Sequence, residues 1–143
     1  MYFKIPNPVT IMIVDAYRQN YELFKTIAGF SDTPVRSFQK DNLNAAINYL
    51  STPNLTNIPP EIIFCNEQIG ERNGIEFLEK FAETKYGKEG VVPVYLISSN
   101  KDSNSIIKSA SAFQFFKGIL QNPIQIDELN EILVRHNSVV HKE

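Results

Sequence analysis

The stretch I62-I63-F64-C65-N66-E67-Q68-I69-G70-E71-R72-N73-G74-I75-E76-F77-L78-E79-K80-F81 decides the reading of this chain. Four apolar residues stop at Asn66, which predicts a buried strand with a polar residue at its carboxyl end. Gly74 follows eight positions later, and from there Ile75, Leu78, Phe81 and Ala82 recur at helical spacing. A strand, a polar strand end and a helix thus occupy twenty consecutive residues. The amide at Asn66 is the feature to explain.

The same grammar repeats on both sides. Upstream, VTIMIV (9–14) is a β-branched apolar run ending at Asp15, suited to a central strand covered on both faces. Tyr17 to Ala28 then places Tyr21, Phe24, Ile27 and Ala28 on one helical face, with Gly29 as a stop. Val35 to Phe38 is a short strand whose Arg36 and Ser37 suit a sheet edge, and Asp41 or Asn42 caps a helix through Leu43, Ala46, Ile47 and Leu50. STPNLTNIPP (51–60) reads as a loop. Downstream, a glycine-bearing loop at Tyr86 to Gly90 leads to a fourth strand over VVPVYLI (91–97), ending at Ser98. A short helix through Ile106, Ile107 and Ala110, a fifth strand over FQFFKGIL (113–120), and a last helix carrying Ile126, Leu129, Ile132 and Leu133 complete the pattern. The tail after His136 is polar and predicted to fray.

Five strands alternating with five helices predict an α/β fold: a three-layer, doubly wound, five-stranded parallel sheet of order 2-1-3-4-5. The 143 residues are expected to form a single domain with a core from about 9 to 136. In such a sheet, ligands and chemistry collect at the carboxyl ends of the strands, where Asp15, Asn66, Ser98 and Asn122 fall.

Composition excludes several classes. Hydrophobic residues at 43% and charged residues at 21% are those of an ordinary globular domain, so disorder is not indicated. A net charge of −2 gives no global attraction to nucleic acid. No apolar run approaches the length needed to span a bilayer, and MYFKIPNPV lacks a signal-peptide core, so a cytoplasmic location is expected. The single Cys65 lies inside an apolar strand and reads as a small buried hydrophobe.

From about Val9 to Leu133 the chain resembles the receiver domains of bacterial two-component response regulators. In that family an acidic pair follows the first strand; here IMIVDA keeps Asp15 and has Ala16 in the second place. The family's phosphoryl-accepting aspartate aligns with Asn66, in register with Gly74 and the ending NGIEFLEKF. Ile69 and Gly70 stand where Met-Pro is frequent. The hydroxyl residue closing the fourth strand is kept as Ser98. The Lys-Pro after the fifth strand becomes Asn122-Pro123, followed by Glu128-Leu129, and the aromatic switch position is Ile119.

The resemblance implies phosphorelay signalling, but these substitutions remove its chemistry. Phosphoryl transfer requires a carboxylate nucleophile and a divalent cation. An amide supplies no nucleophile, and Ala16 with Asn66 leaves Asp15 as the sole carboxylate of the pocket. Magnesium, which favours carboxylates plus waters, is therefore expected to bind weakly or not at all, with Asp15 a weak candidate ligand. A buried lysine facing absent acids is costly, so Asn122 fits a neutral pocket shared with Asn66. No catalytic residue and no cofactor are expected.

Plainer readings stand beside these. Asp15 reads first as an anchor for backbone amides at a helix start, ahead of a metal ligand. Asn66 can hydrogen-bond Asp15, Ser98 or the backbone. Ser98 lacks a base to make it a nucleophile. His136 and His141, five apart, read as solvated. Phe113, Phe115 and Phe116 read first as core, although exposed apolar area around the fourth helix, fifth strand and fifth helix would mark the family's docking and dimer surface. The resulting expectation is a phosphorylation-independent pseudo-receiver that acts by protein–protein contact. Its partners would be a histidine kinase, a response regulator or an output protein, with homodimerisation possible and nucleic acid and membrane excluded. The alternatives are a flavodoxin-like binder of a flavin or nucleotide, opposed by the absence of a glycine or threonine cluster in DAYRQNY, and a receiver with residual phosphoacceptor activity at Asp15.

Overall fold

Alternate residues of each central strand feed two different cores, and this is why the strand sequences are continuously apolar. The computed structural model describes residues 7–52, 57–100 and 102–140, with the side chains of 139 and 140 excepted. In β1 (Val9–Val14) all six residues are buried. Its Met12 and Val14 point to one core, and its Ile11 and Ile13 to the other. In β3 (Ile62–Asn66) the same division sends Ile63 and Cys65 one way, Ile62 and Phe64 the other.

β1 pairs in parallel with β2 (Val35–Lys40) on one side and β3 on the other. β3 pairs with β6 (Val94–Ser98), and β6 with β7 (Phe116–Gln121), all in parallel. The order β2-β1-β3-β6-β7 is 2-1-3-4-5 when the strands of this sheet alone are counted. α2 (Leu43–Ser51), α3 (Gly74–Phe81) and α5 (Asn104–Ala110) cover the first core; α1 (Arg18–Ala28) and α6 (Ile126–Val140) cover the second. Phe64, Phe77 and Phe81 are fully buried, each contributing roughly 1.5–3 kcal/mol of transfer free energy.

Four departures from the sequence reading have physical causes. Among the described residues there are six helices instead of five, because Tyr86 to Gly90 is not a loop: α4 (Lys85–Glu89) occupies it. Thr84 Oγ1 accepts from Gly87 N at its start, and Gly90 closes it in the left-handed conformation at φ 69°. Gly87 lets this helix press on the end of α3; a Cβ there would collide with the carbonyl oxygen of Phe81 and lie 2.8 Å from Ala82 Cα. Secondly, a hairpin of β4 (Gln68–Ile69) and β5 (Arg72–Asn73) follows β3. Its two-residue turn has Gly70 at φ 63° in the first central position, as a type II′ turn requires.

Thirdly, the two last strands of the sheet start later than predicted, at Val94 and Phe116. Val91 is 71% exposed. Phe113 and Phe115 precede β7, their rings stacked at 5.4 Å, and Phe115 meets Phe81 edge-on at 4.8 Å. Packing against α3, and not strand alternation, fixes these aromatics. Lastly, α6 runs on to Val140, and His136 is not solvated: its Nε2 lies 3.0 Å from Glu61 Oε1, at the foot of β3. His141 and part of the 51–60 loop lie outside the described residues.

Candidate functional site at the strand ends

The carboxyl ends of β1, β3 and β6 bring Asp15, Asn66 and Ser98 to one edge of the sheet. Gly74 makes the packing there possible. Its N–H donates to Glu67 O at 2.7 Å, and a Cβ on it would lie 2.8 Å from Leu96 Cδ2 and 3.2 Å from Asn66 O. The eight-residue interval from Asn66 to Gly74 thus spans the hairpin and returns the chain to within contact of the strand end. Asn73 and Glu76 then form a reciprocal capping box that starts α3.

Asp15 is 3% exposed, and a buried carboxylate needs donors. Its Oδ1 accepts from Tyr17 N at 2.9 Å, closing the turn into α1. Asn20 Nδ2 reaches both oxygens, at 3.2 and 3.1 Å. Asn66 Nδ2 donates to Oδ2 at 3.0 Å. Gln39 Nε2 secures the Asp15 carbonyl at 2.8 Å. The other end of the Asn66 amide is also fixed, because its Oδ1 accepts from Gln68 N at 3.0 Å. Carboxylate on one side and N–H on the other admit only one orientation of that amide.

A second pair lies beside the first. Ser98, 1% exposed, donates from Oγ to Glu67 Oε2 at 2.8 Å and accepts from Asn100 N at 2.9 Å. Asn122 does not join Asn66 in a neutral pocket, contrary to expectation. Its side chain is exposed and hydrogen-bonds neither Asp15 nor Asn66; its backbone N–H donates to Ser98 O at 3.0 Å, and its bond to Pro123 is cis. It only lines, with Asp15 and Asn20, a crevice of about 20 Å³, which holds about one water. Ala16 is half-buried and supplies no ligand atom, and Ile119 packs, partly buried, on the core beneath α5. Below the site, burial pushes the Cys65 thiol well above its ordinary pKa, and the charge of Asp15 adds to the rise.

Asn20, Gln39 and Glu67 are members of this site that the sequence reading missed. Asn20 carried a local signal, an amide in the first turn of α1, five positions after Asp15. Gln39 and Glu67 carried none, since each acts across strands.

No family profile matches the chain, and no curated protein matches it by sequence. Solved structures do. A two-component response regulator from Cytophaga hutchinsonii superposes with a TM-score of 0.78 at 21% identity, over 91% of this chain and 98% of that one. A response regulator receiver protein from Dyadobacter fermentans gives 0.73 at 24% identity, over 90% and 97%. This chain has the receiver fold. The phosphorylated cyanobacterial phytochrome response regulator RcpA is more distant in sequence, at 14% identity with a TM-score of 0.68 over 92% and 93%. At such identities the likeness extends to the fold, and the chemistry must be read from the residues.

Those residues do not fit the divalent cation that the receiver fold brings to mind. Both Asp15 oxygens are engaged by N–H donors, Asn66 turns its NH₂ toward Asp15, and the Ala16 side chain has no oxygen to give. Among the described residues no three His, Cys, Asp or Glu side chains are grouped as metal ligands. None of the described helices is long and apolar enough to cross a membrane.

Proposed function

We propose that this chain is a receiver-type module of two-component or phosphorelay signalling that works without phosphorylation, through contacts with partner proteins. The observation that carries this reading is the 3.0 Å hydrogen bond from Asn66 Nδ2 to Asp15 Oδ2. It puts a non-nucleophilic nitrogen where the resemblance calls for an attacking carboxylate, and it engages Asp15. Residual phosphorylation at Asp15 is disfavoured by the same contacts, since its oxygens are buried and already bonded. A flavin or nucleotide is disfavoured beside Asp15 by the size of the crevice there, about 20 Å³.

The partner surface in this reading is the face of α5, β7 and α6, which correspond to the fourth helix, fifth strand and fifth helix of the sequence pattern. Ile107 on α5 is 39% exposed and Val134 on α6 is 58% exposed, apolar area that supports a contact surface for a kinase, a regulator, an output protein or a second copy. Incubation with acetyl phosphate and magnesium, followed by intact-mass measurement, is expected to show no phosphoryl adduct. An adduct mapped to Asp15 would overturn the proposal.

A further inference from the structure

At the opposite end of the sheet from Asp15, a pocket of about 430 Å³ opens between the start of β6, β7 and α6, within the size range of small-molecule sites. Its apolar wall includes Tyr95 and Ile132, at 7% and 3% exposure, and Val91 stands at its mouth. Lys117, Arg135 and His136 line it as well, and no acidic side chain does.

The basic residues are placed by identifiable features. The β6–β7 register slips between Val94/Phe116 and Tyr95/Gly118, so Lys117 is the extra residue of a bulge, a device that re-aims a side chain. Gly118, at φ 151°, takes up the backbone distortion. Lys117 makes no ion pair among the described residues. Arg135 spends one guanidinium nitrogen on Glu131 Oε1 at 3.2 Å, which leaves donors free. Glu61 lies 3.0 Å from His136 and accepts from the N–H of Thr10 at 2.8 Å, so the imidazole already has its counter-charge and the rim's unpaired cation is Lys117.

We infer that this pocket is a binding site for a small organic anion with an apolar or aromatic body and one carboxylate. The body would lie on Tyr95 and Ile132 while the carboxylate meets Lys117 and Arg135 at the mouth. Size, an apolar floor and the unpaired ammonium of Lys117 beside the free guanidinium donors of Arg135 together select that chemistry over a neutral apolar molecule or a bare inorganic anion. None of these residues belongs to the Asp15–Asn66 site, so the inference stands independently of the signalling reading.

A backbone amide NMR titration of the full chain tests it, with 4-phenylbutyrate as probe and 4-phenylbutanol and butyrate as the two controls. Saturable shifts confined to the surroundings of Val91, Tyr95, Ile132 and Arg135 are expected with 4-phenylbutyrate, with each control at least about fivefold weaker. Lys117→Gln with Arg135→Gln, and separately Val91→Glu at its exposed position, should each weaken binding about fivefold or more while leaving the rest of the spectrum in place. Shifts that do not saturate by about 5 mM, equal binding of the alcohol, or undiminished binding by both variants would each overturn the assignment.

Discussion

Replacing Asn66 with aspartate would return the acid that the receiver resemblance calls for, and the structure predicts that the protein is weakened by it. The substitution exchanges an N–H donor 3.0 Å from Asp15 Oδ2 for a second carboxylate. Two unit charges at that separation repel by roughly 5 kcal/mol at an effective dielectric constant near 20. Protonating the new carboxyl is the cheaper escape. Holding a proton at pH 7 on a group whose unfolded pKa is about 3.9 costs about 4 kcal/mol, and at pH 5 about 1.5 kcal/mol. Swinging the half-buried side chain toward solvent relieves part of this, so a loss of about 2–4 kcal/mol is expected at pH 7.

The sign with pH follows from linkage. The new carboxyl has its folded pKa raised above the unfolded value, so between those two values the folded state holds the extra proton and the variant loses stability as pH rises. Asn66→Ala removes a donor without adding charge; it should cost about 1–3 kcal/mol with no such slope. Urea unfolding followed by far-ultraviolet circular dichroism, at pH 7 and pH 5 with a chelator present, reads both. An Asn66→Asp variant as stable as the parent at pH 7, or a deficit that does not shrink at pH 5, refutes the reasoning.

Gly87→Ala should lower the thermal midpoint by roughly 10 °C, because its Cβ meets the backbone of Phe81 and Ala82, which cannot yield as a side chain tip would. A loss of under about 2 °C by calorimetry would show that α4 is not pressed onto α3 as described. Cys65, fully buried with its thiol pKa raised by desolvation first and Asp15 second, should resist iodoacetamide in native buffer and react on unfolding in urea. Stability should also decline above about pH 8.5, where the unfolded thiol ionises and the folded one does not; rapid native alkylation at neutral pH would contradict this.

The parts of the fold legible in sequence are those fixed by local chemistry. β1 and β3 are buried on both faces, and no other element produces so pure an apolar run. The Asn66–Gly74 interval and the helical spacing after it place α3 in the same way. What misled was apolar sequence used for a purpose other than a strand. Phe113 and Phe115 look like strand residues, yet from a turn Phe115 reaches Phe81 and Phe113 stacks on Phe115. α4 was obscured because Gly87 and Gly90 read as loop formers, although Thr84 as cap and Gly90 as stop were in view. His136 and Glu61 are 75 positions apart, and Gln39 and Asp15 are 24 apart on neighbouring strands; such pairs leave no periodic trace.

The site itself was legible as a set of positions but not as a network, and the network changes the meaning of the substitutions. Read singly, Ala16, Asn66 and Asn122 are three losses, with Asn122 compensating Asn66 across a pocket. In the structure Asn122 is outside, and the compensation for Asp15 comes from the N–H of Tyr17 and the amides of Asn20 and Asn66. A buried carboxylate satisfied by neutral donors is a stable arrangement: an acid introduced at position 66 meets it as a like charge. Asn66→Asp therefore runs uphill. The Asp15–Asn66 pair is held in place by Asn20 and Gln68 as much as by Asn66, since those residues satisfy the two ends of the pair.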